Sequence, residues 1–172
     1  YEIEEVQDES WAKPKNTIIL ADKLAEQTME KSRVTKYKKI RELSLDDFNE
    51  ITLTHPFSKL EGAESFWDYA VPLVEADHVT DDAGTGFVHI APSHGAEDFE
   101  VFLKRGWLSR MTNNVEDDSS FSTAVPFFKG LQIFNKKGKE GEANSAVIQK
   151  LIEANKLIAR GILEHSYPHS WR

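Results

Sequence analysis

Three side chains able to act together stand within one short stretch, DDAGTGFVHIAPSHGAEDFEVF, from Asp81 to Phe102: His89, His94 and Asp98. Imidazole can move a proton near neutral pH, and a carboxylate can hold an ammonium group or, with two histidines, a cation. A zinc hydrolase is one chemistry to weigh, since His94 and Asp98 are four apart with His89 upstream, but HExxH is absent and no cysteine is available. Ser93 lacks the GxSxG elbow of a nucleophilic serine, and Gly84-Thr85-Gly86 lacks the lysine and spacing of a phosphate loop. Spacing alone leaves a plainer alternative open. Asp98 can serve a helix start, where a negative charge complements the dipole, and His89 can be a satisfied structural histidine.

The elements that must position these groups follow from the same stretch. Gly84 and Gly86 permit backbone conformations, or a close ligand approach, that a Cβ forbids. Phe87, Val88 and Ile90 read as a short apolar strand, stopped by Pro92, which cannot continue a central ladder. Ser93 is the expected helix N-cap, with Glu97 and Asp98 in or near the first turn. Ala96, Phe99, Phe102 and Leu103 recur at helical spacing, and Gly106 suits the stop. A strand, a tight corner and a helix would aim His89, His94 and Asp98 at one small molecule.

The flanking chain reads as scaffold. Tyr1 to Val6 alternates as a half-buried strand does, Thr17 to Leu20 reads as a second strand, and Asp22 can cap a helix running to about Ser32. Val34 to Leu43 carries Lys36, Lys38, Lys39 and Arg41 around Tyr37, either a strand with a solvated basic face or a contact for RNA phosphates. Ser44 with Asp46 and Asp47 opens a short helix or turn, and His55-Pro56-Phe57 is a rigid extended corner. Phe66, Trp67, Tyr69, Val71, Leu73 and Val74 look like core, and His78 reads as a surface or hydrogen-bonded histidine. Beyond Gly106 a loop leads to extended segments at 124–128 and 131–134 around Gly130, a turn from Asn135, a helix from about Glu142 to Asn155, and a terminal strand from Leu157 to Trp171. Short strands and a few helices without βαβ alternation favour an α+β fold around a closed or strongly curved, barrel-like sheet.

Composition narrows the classes. A chain of 172 residues, 40% of them hydrophobic, can bury one core. A formal charge of −8 argues against a general nucleic-acid binder, though not against a partner touched only at its tip. The absence of cysteine removes any disulfide framework and fits a reducing compartment. No apolar run reaches membrane-spanning length, so the chain reads as a soluble domain. Starting directly on a strand suggests a piece excised from something longer.

GTGFVHIAPSHGAEDFE resembles the signature of the editing domain, connective peptide 1, inserted in the class I aminoacyl-tRNA synthetases for isoleucine, valine and leucine. The resemblance extends to HPF at His55 to Phe57, to the approach ADHVTDDAGTG from Ala76, and to the exit HSYPHSWR, so it spans most of the chain. His89 and the run Ser93 to Gly95 are similar to the isoleucine type, whereas the valine type is expected to carry lysine at position 89 and, like the leucine type, aspartate at 95.

That resemblance implies hydrolysis of the ester in valyl-tRNA made by mistake for isoleucine, because one methylene gives a binding pocket too little discrimination and a second, size-excluding site must complete it. It gives Asp98 the α-ammonium of the substrate and His89 the lining of the pocket. Gly84, Thr85, Gly86, Phe87, Ser93, His94 and Gly95 then meet the terminal adenosine and the ester. It implies a cytoplasmic enzyme whose partners are the acceptor end of tRNA and the remaining synthetase domains, with no membrane. No cofactor or metal is expected in this domain; ATP and magnesium belong to the full-length enzyme. Residues 1–165 would be the editing domain, truncated on its N-terminal side, and 166–172 the start of a linker returning to the catalytic domain. A threonine-rich strand of the form TTTPWT, which lines the family's pocket upstream of this segment, is not in the chain, and neither is HIGH or KMSKS. A non-catalytic module that docks the acceptor end, or an inactive fragment, is the competing expectation.

Overall fold

The computed structural model describes residues 1–162. Its elements, in chain order, are β1 (Glu2–Val6), α1 (Ala25–Lys31), β2 (Val34–Lys38), α2 (Leu45–Asn49), β3 (Leu53–Thr54), β4 (Ala70–Val71), α3 (Ala96–Lys104) and α4 (Ala143–Glu153), with single 3-10 turns at Asp22–Leu24 and Leu108–Arg110. The class is α+β, as expected. Among the described residues the strands pair as two separate antiparallel ribbons, β1 with β2 and β3 with β4, and neither closes. Strands of two to five residues are too short to curl into a barrel by themselves. None of the described helices is long and apolar enough to cross a membrane.

Two apolar clusters hold these elements. Ile3, Ala12, Met29 and Val34 gather where α1 covers the first ribbon, and Ile3 and Met29 are each 1% exposed. Phe57, Ala63, Trp67, Val125 and Phe128 form the second, against which Ala146, Val147 and Leu151 of α4 pack. The aromatic content of the second cluster is high enough for rings to stack and meet edge to face, as Phe57 and Trp67 do at 5.2 Å.

Several local expectations are met by a different device. Thr17 makes a lone bridge to Glu2, so 17–20 is an edge segment rather than a strand. Asp22 caps nothing; its carboxylate takes the Tyr1 hydroxyl and Lys39 instead, and the helix is entered through a 3-10 turn. Ser44 and Asp47, in contrast, form a reciprocal capping box at the start of α2. Tyr69, expected in the core, is half exposed. The segment 124–128 is a run of turns, Phe127 taking φ +67°, and 157–162 carries no strand. The exit HSYPHSWR, the linker at 166–172 and the rest of the terminal strand lie outside the described residues.

The basic stretch of β2 is neutralised by its neighbours. Lys38 reaches Glu2 at 2.6 Å and Lys36 reaches Glu4 at 3.3 Å across the ribbon, while Arg41 meets Asp47 at 2.7 Å. These cations face carboxylates, which leaves little charge for RNA phosphates.

Candidate functional site

The glycine corner is fixed from below by the entry to α1. Gly84 and Gly86 both take positive φ, +69° and +85°. The Thr28 hydroxyl donates to the Gly84 carbonyl at 3.1 Å and the Ala21 amide donates to the Thr85 carbonyl at 2.9 Å. At Gly86 an added Cβ would stand 2.7 Å from that of Ala21, so glycine is needed both for the turn and for the close approach. Lys23 adds an ion pair to Asp81 at 2.9 Å.

From this corner the chain runs without ladder partners through Phe87, Val88, His89 and Ile90, correcting the expected strand. Among the described residues no neighbouring strand lies alongside to supply a ladder, and Phe87 and Val88 are left substantially exposed. Phe87 instead leans on Phe48 of α2, ring centres 6.1 Å apart. His89 is exposed, and its charge is felt by His55. His55 stacks flat on Trp67 at 5.2 Å and its Nδ1 accepts the Phe57 amide at 3.1 Å. Burial, and then the neighbouring His89, lower the His55 pKa to about 4, so near neutral pH this ring is uncharged with Nε2 carrying its proton.

The helix start departs from expectation in its cap. Ser93 is not the N-cap; its hydroxyl donates to the Thr112 carbonyl at 2.8 Å and ties down the loop beyond α3. Gly95 occupies the N-cap position with no side chain to offer, and Asp98, three residues on, folds back to do the corner's work. Asp98 Oδ2 accepts the Ala91 amide at 2.8 Å and would lie 2.9 Å from a Cβ on Gly95. Its Oδ1 stands 3.2 Å from Nε2 of His78, with both side chains largely buried. Among the described residues that nitrogen has no aligned hydrogen-bond partner, so the contact is a close polar approach with the bond not fully made.

His78 is the residue sequence spacing missed. It lies twenty positions before Asp98, and only its place in the ADHV approach hinted at a connection. Ser93, His94 and Gly95 are brought together, with Pro92, Phe99 and Leu103, around a shallow open depression of about 510 Å³. Asp98 and His89 do not line it, and Gly84 to Phe87 lie elsewhere along the corner. Among the described residues no three histidine, aspartate or glutamate side chains converge as metal ligands.

The corner thus presents a largely buried carboxylate at the head of a helix beside a pair of glycines in the left-handed region. No protein-family model matches the chain. Curated relatives do: the isoleucine–tRNA ligase of Bradyrhizobium diazoefficiens is 44% identical over the whole chain, that of Caulobacter vibrioides 46% over 95% of it, and that of Ruegeria pomeroyi 46% over all of it. The chain spans only 17–18% of the length of these relatives. It belongs to the isoleucine–tRNA ligase family, of which it represents one segment.

Proposed function

We propose that this segment is the editing domain of an isoleucine–tRNA ligase and hydrolyses the ester of valine wrongly joined to the isoleucine tRNA. The observation that carries the reading is the Asp98 carboxylate, held at the start of α3 by the Ala91 amide at 2.8 Å. Each carboxylate oxygen has a second lone pair to offer an ammonium group, and a carboxylate fixed in this way fixes the amino acid whose amine it grips. Water then adds to the ester carbonyl, the bond to the ribose oxygen breaks, and that oxygen leaves as a hydroxyl with valine released as the acid. An aminoacyl ester is already reactive, so orientation supplies much of the rate, and a neighbouring ribose hydroxyl can assist. His89 lines the side that limits substrate size, with Gly84 to Phe87 and Ser93 to Gly95 meeting the adenosine and ester. Residues 1–165 are then the editing unit, and 166–172 lead back to the synthetase body. A barrel wall would form from these ribbons together with a threonine-rich strand supplied elsewhere in the enzyme. ATP and magnesium serve the aminoacylation site of the full-length cytoplasmic ligase, and editing needs neither.

A second reading, a module that docks the acceptor end without cutting it, is favoured by the open depression at Ser93 to Gly95, which holds neither Asp98 nor His89. Deacylation of valyl-tRNA and isoleucyl-tRNA by the full-length ligase carrying this segment separates the two. Editing predicts that the valyl ester is cut preferentially and that Asp98→Ala lowers the rate by roughly 100-fold or more, the scale of a lost charge-assisted contact at a reacting group. Equal hydrolysis of both esters, or an Asp98→Ala enzyme as fast as wild type, sinks the sieve. Chelator should leave the rate unchanged; inhibition restored by zinc would point to a metal hydrolase.

A further inference from the structure

We propose that Arg105 and Arg110, gathered on Trp107 at the end of α3, form a clamp for backbone phosphates of the tRNA acceptor strand. The proposal rests on the editing reading for its partner and adds the surface along which that partner lies. The Arg105 guanidinium sits 5.3 Å and that of Arg110 4.9 Å from the centre of the Trp107 ring, and Phe102 braces the indole edge to face at 5.8 Å. Two like charges are thus held against one ring. Neither has a carboxylate within ion-pair distance among the described residues, whereas Arg33 meets Glu9 and Arg41 meets Asp47.

Other surface cations among the described residues are also without a carboxylate partner; what sets Arg105 and Arg110 apart is that both guanidiniums are held over one indole ring. The dipole of α3 favours Arg105 at its C-cap, but Arg110 lies on the following 3-10 turn and gains nothing from it. A guanidinium over an aromatic face keeps its N–H donors in its own plane, directed outward, where a phosphate accepts them two at a time. Position agrees with this. Asp98, Phe102 and Arg105 follow one another at helical i, i+4 and i+7 spacing, so the carboxylate proposed to grip the amino acid and Arg105 at the C-cap share one face of α3, and Arg110 joins Arg105 through the Trp107 ring. Seven residues of helix separate them by about 10 Å along the axis, a distance that a few nucleotides cover.

The test uses the full-length ligase and two valyl esters, valyl-tRNA and 2′(3′)-O-valyl-adenosine, which has no phosphate. Arg105→Gln with Arg110→Gln should raise KM for valyl-tRNA about tenfold or more and flatten its dependence on salt, each lost phosphate contact removing close to one unit of the log–log slope. Hydrolysis of valyl-adenosine should stay at the wild-type level, which also shows that the variant folds. The two single variants should each give part of the effect. An unchanged KM for valyl-tRNA, or an equal loss on both esters, overturns the clamp. If the wild-type enzyme cuts neither ester the editing reading itself fails, and affinity for uncharged tRNA then decides the clamp separately: it should drop in the double variant, and equal affinity refutes it.

Discussion

Asp98 and His89, nine positions apart, are placed in quite different surroundings. The carboxylate is drawn inward by the Ala91 amide and His78, while the imidazole stands in solvent close enough for its charge to reach His55. That last relation can be measured in the absence of any substrate. Because His89 is one of the causes that lower the pKa of His55, with burial the larger, His89→Ala should let the His55 titration move upward from about 4. It should not return to the ordinary value of 6.5, since burial remains. Proton NMR of the His55 ring against pH reads the shift, and a downward movement or none would show that the two rings do not interact. The sequence could offer Asp98 and His89 as candidates by residue type and place. Their different surroundings were not legible, because these depend on where His55 and His78 lie in space, and both are distant in the chain.

The elements show which local signals can be trusted. The short helix opened by Ser44 with Asp46 and Asp47 and the helix of α3 ending before Gly106 are written in residues a few positions apart, and both helices form, although the cap of α3 falls on Gly95 instead of Ser93. Phe87 to Ile90 has the composition of a strand but among the described residues lacks a neighbour to pair with, and no local pattern can supply one. The barrel expectation runs short for the same reason, since closure is a property of many strands together. The glycine corner was readable as backbone freedom, and it yields a comparison. Gly84 takes φ +69° with open space around its missing Cβ, whereas Gly86 takes φ +85° with Ala21 in the way. Gly84→Ala should cost about 1–2 kcal/mol, the strain of a left-handed residue alone. Gly86→Ala should cost distinctly more, about 3 kcal/mol, because the steric conflict adds to the strain. Urea unfolding midpoints of the two variants check the order; equal losses would mean that the loop and α1 are not packed as described.

At the scale of the whole molecule, the aromatic cluster couples the fold to pH. His55 lies flat against Trp67, and Trp67 is 6% exposed within the cluster that also holds Phe57 and Phe128. Protonating the ring would place a charge among those aromatics and take the Nδ1 lone pair from the Phe57 amide. With the folded pKa near 4 and the unfolded value 6.5, the unfolded chain binds this proton first as the pH falls. The His55 contribution is therefore complete above about pH 6.5, declines through the interval, and is gone below about pH 4. Carboxylates act lower down: Asp47, paired with Arg41 and bonded to Ser44, is held near 2 against an ordinary 3.8, so its contribution is lost only between those values. Acid unfolding should then proceed in two stages, with the first belonging to the aromatic cluster. Urea titrations followed by tryptophan fluorescence at pH 7, 5.5 and 4 should show the midpoint falling across this range in the wild type, and His55→Phe should flatten that decline while leaving the loss below pH 4 in place. A His55→Phe protein that loses stability between pH 7 and 4 as steeply as wild type would assign the first stage to some other group.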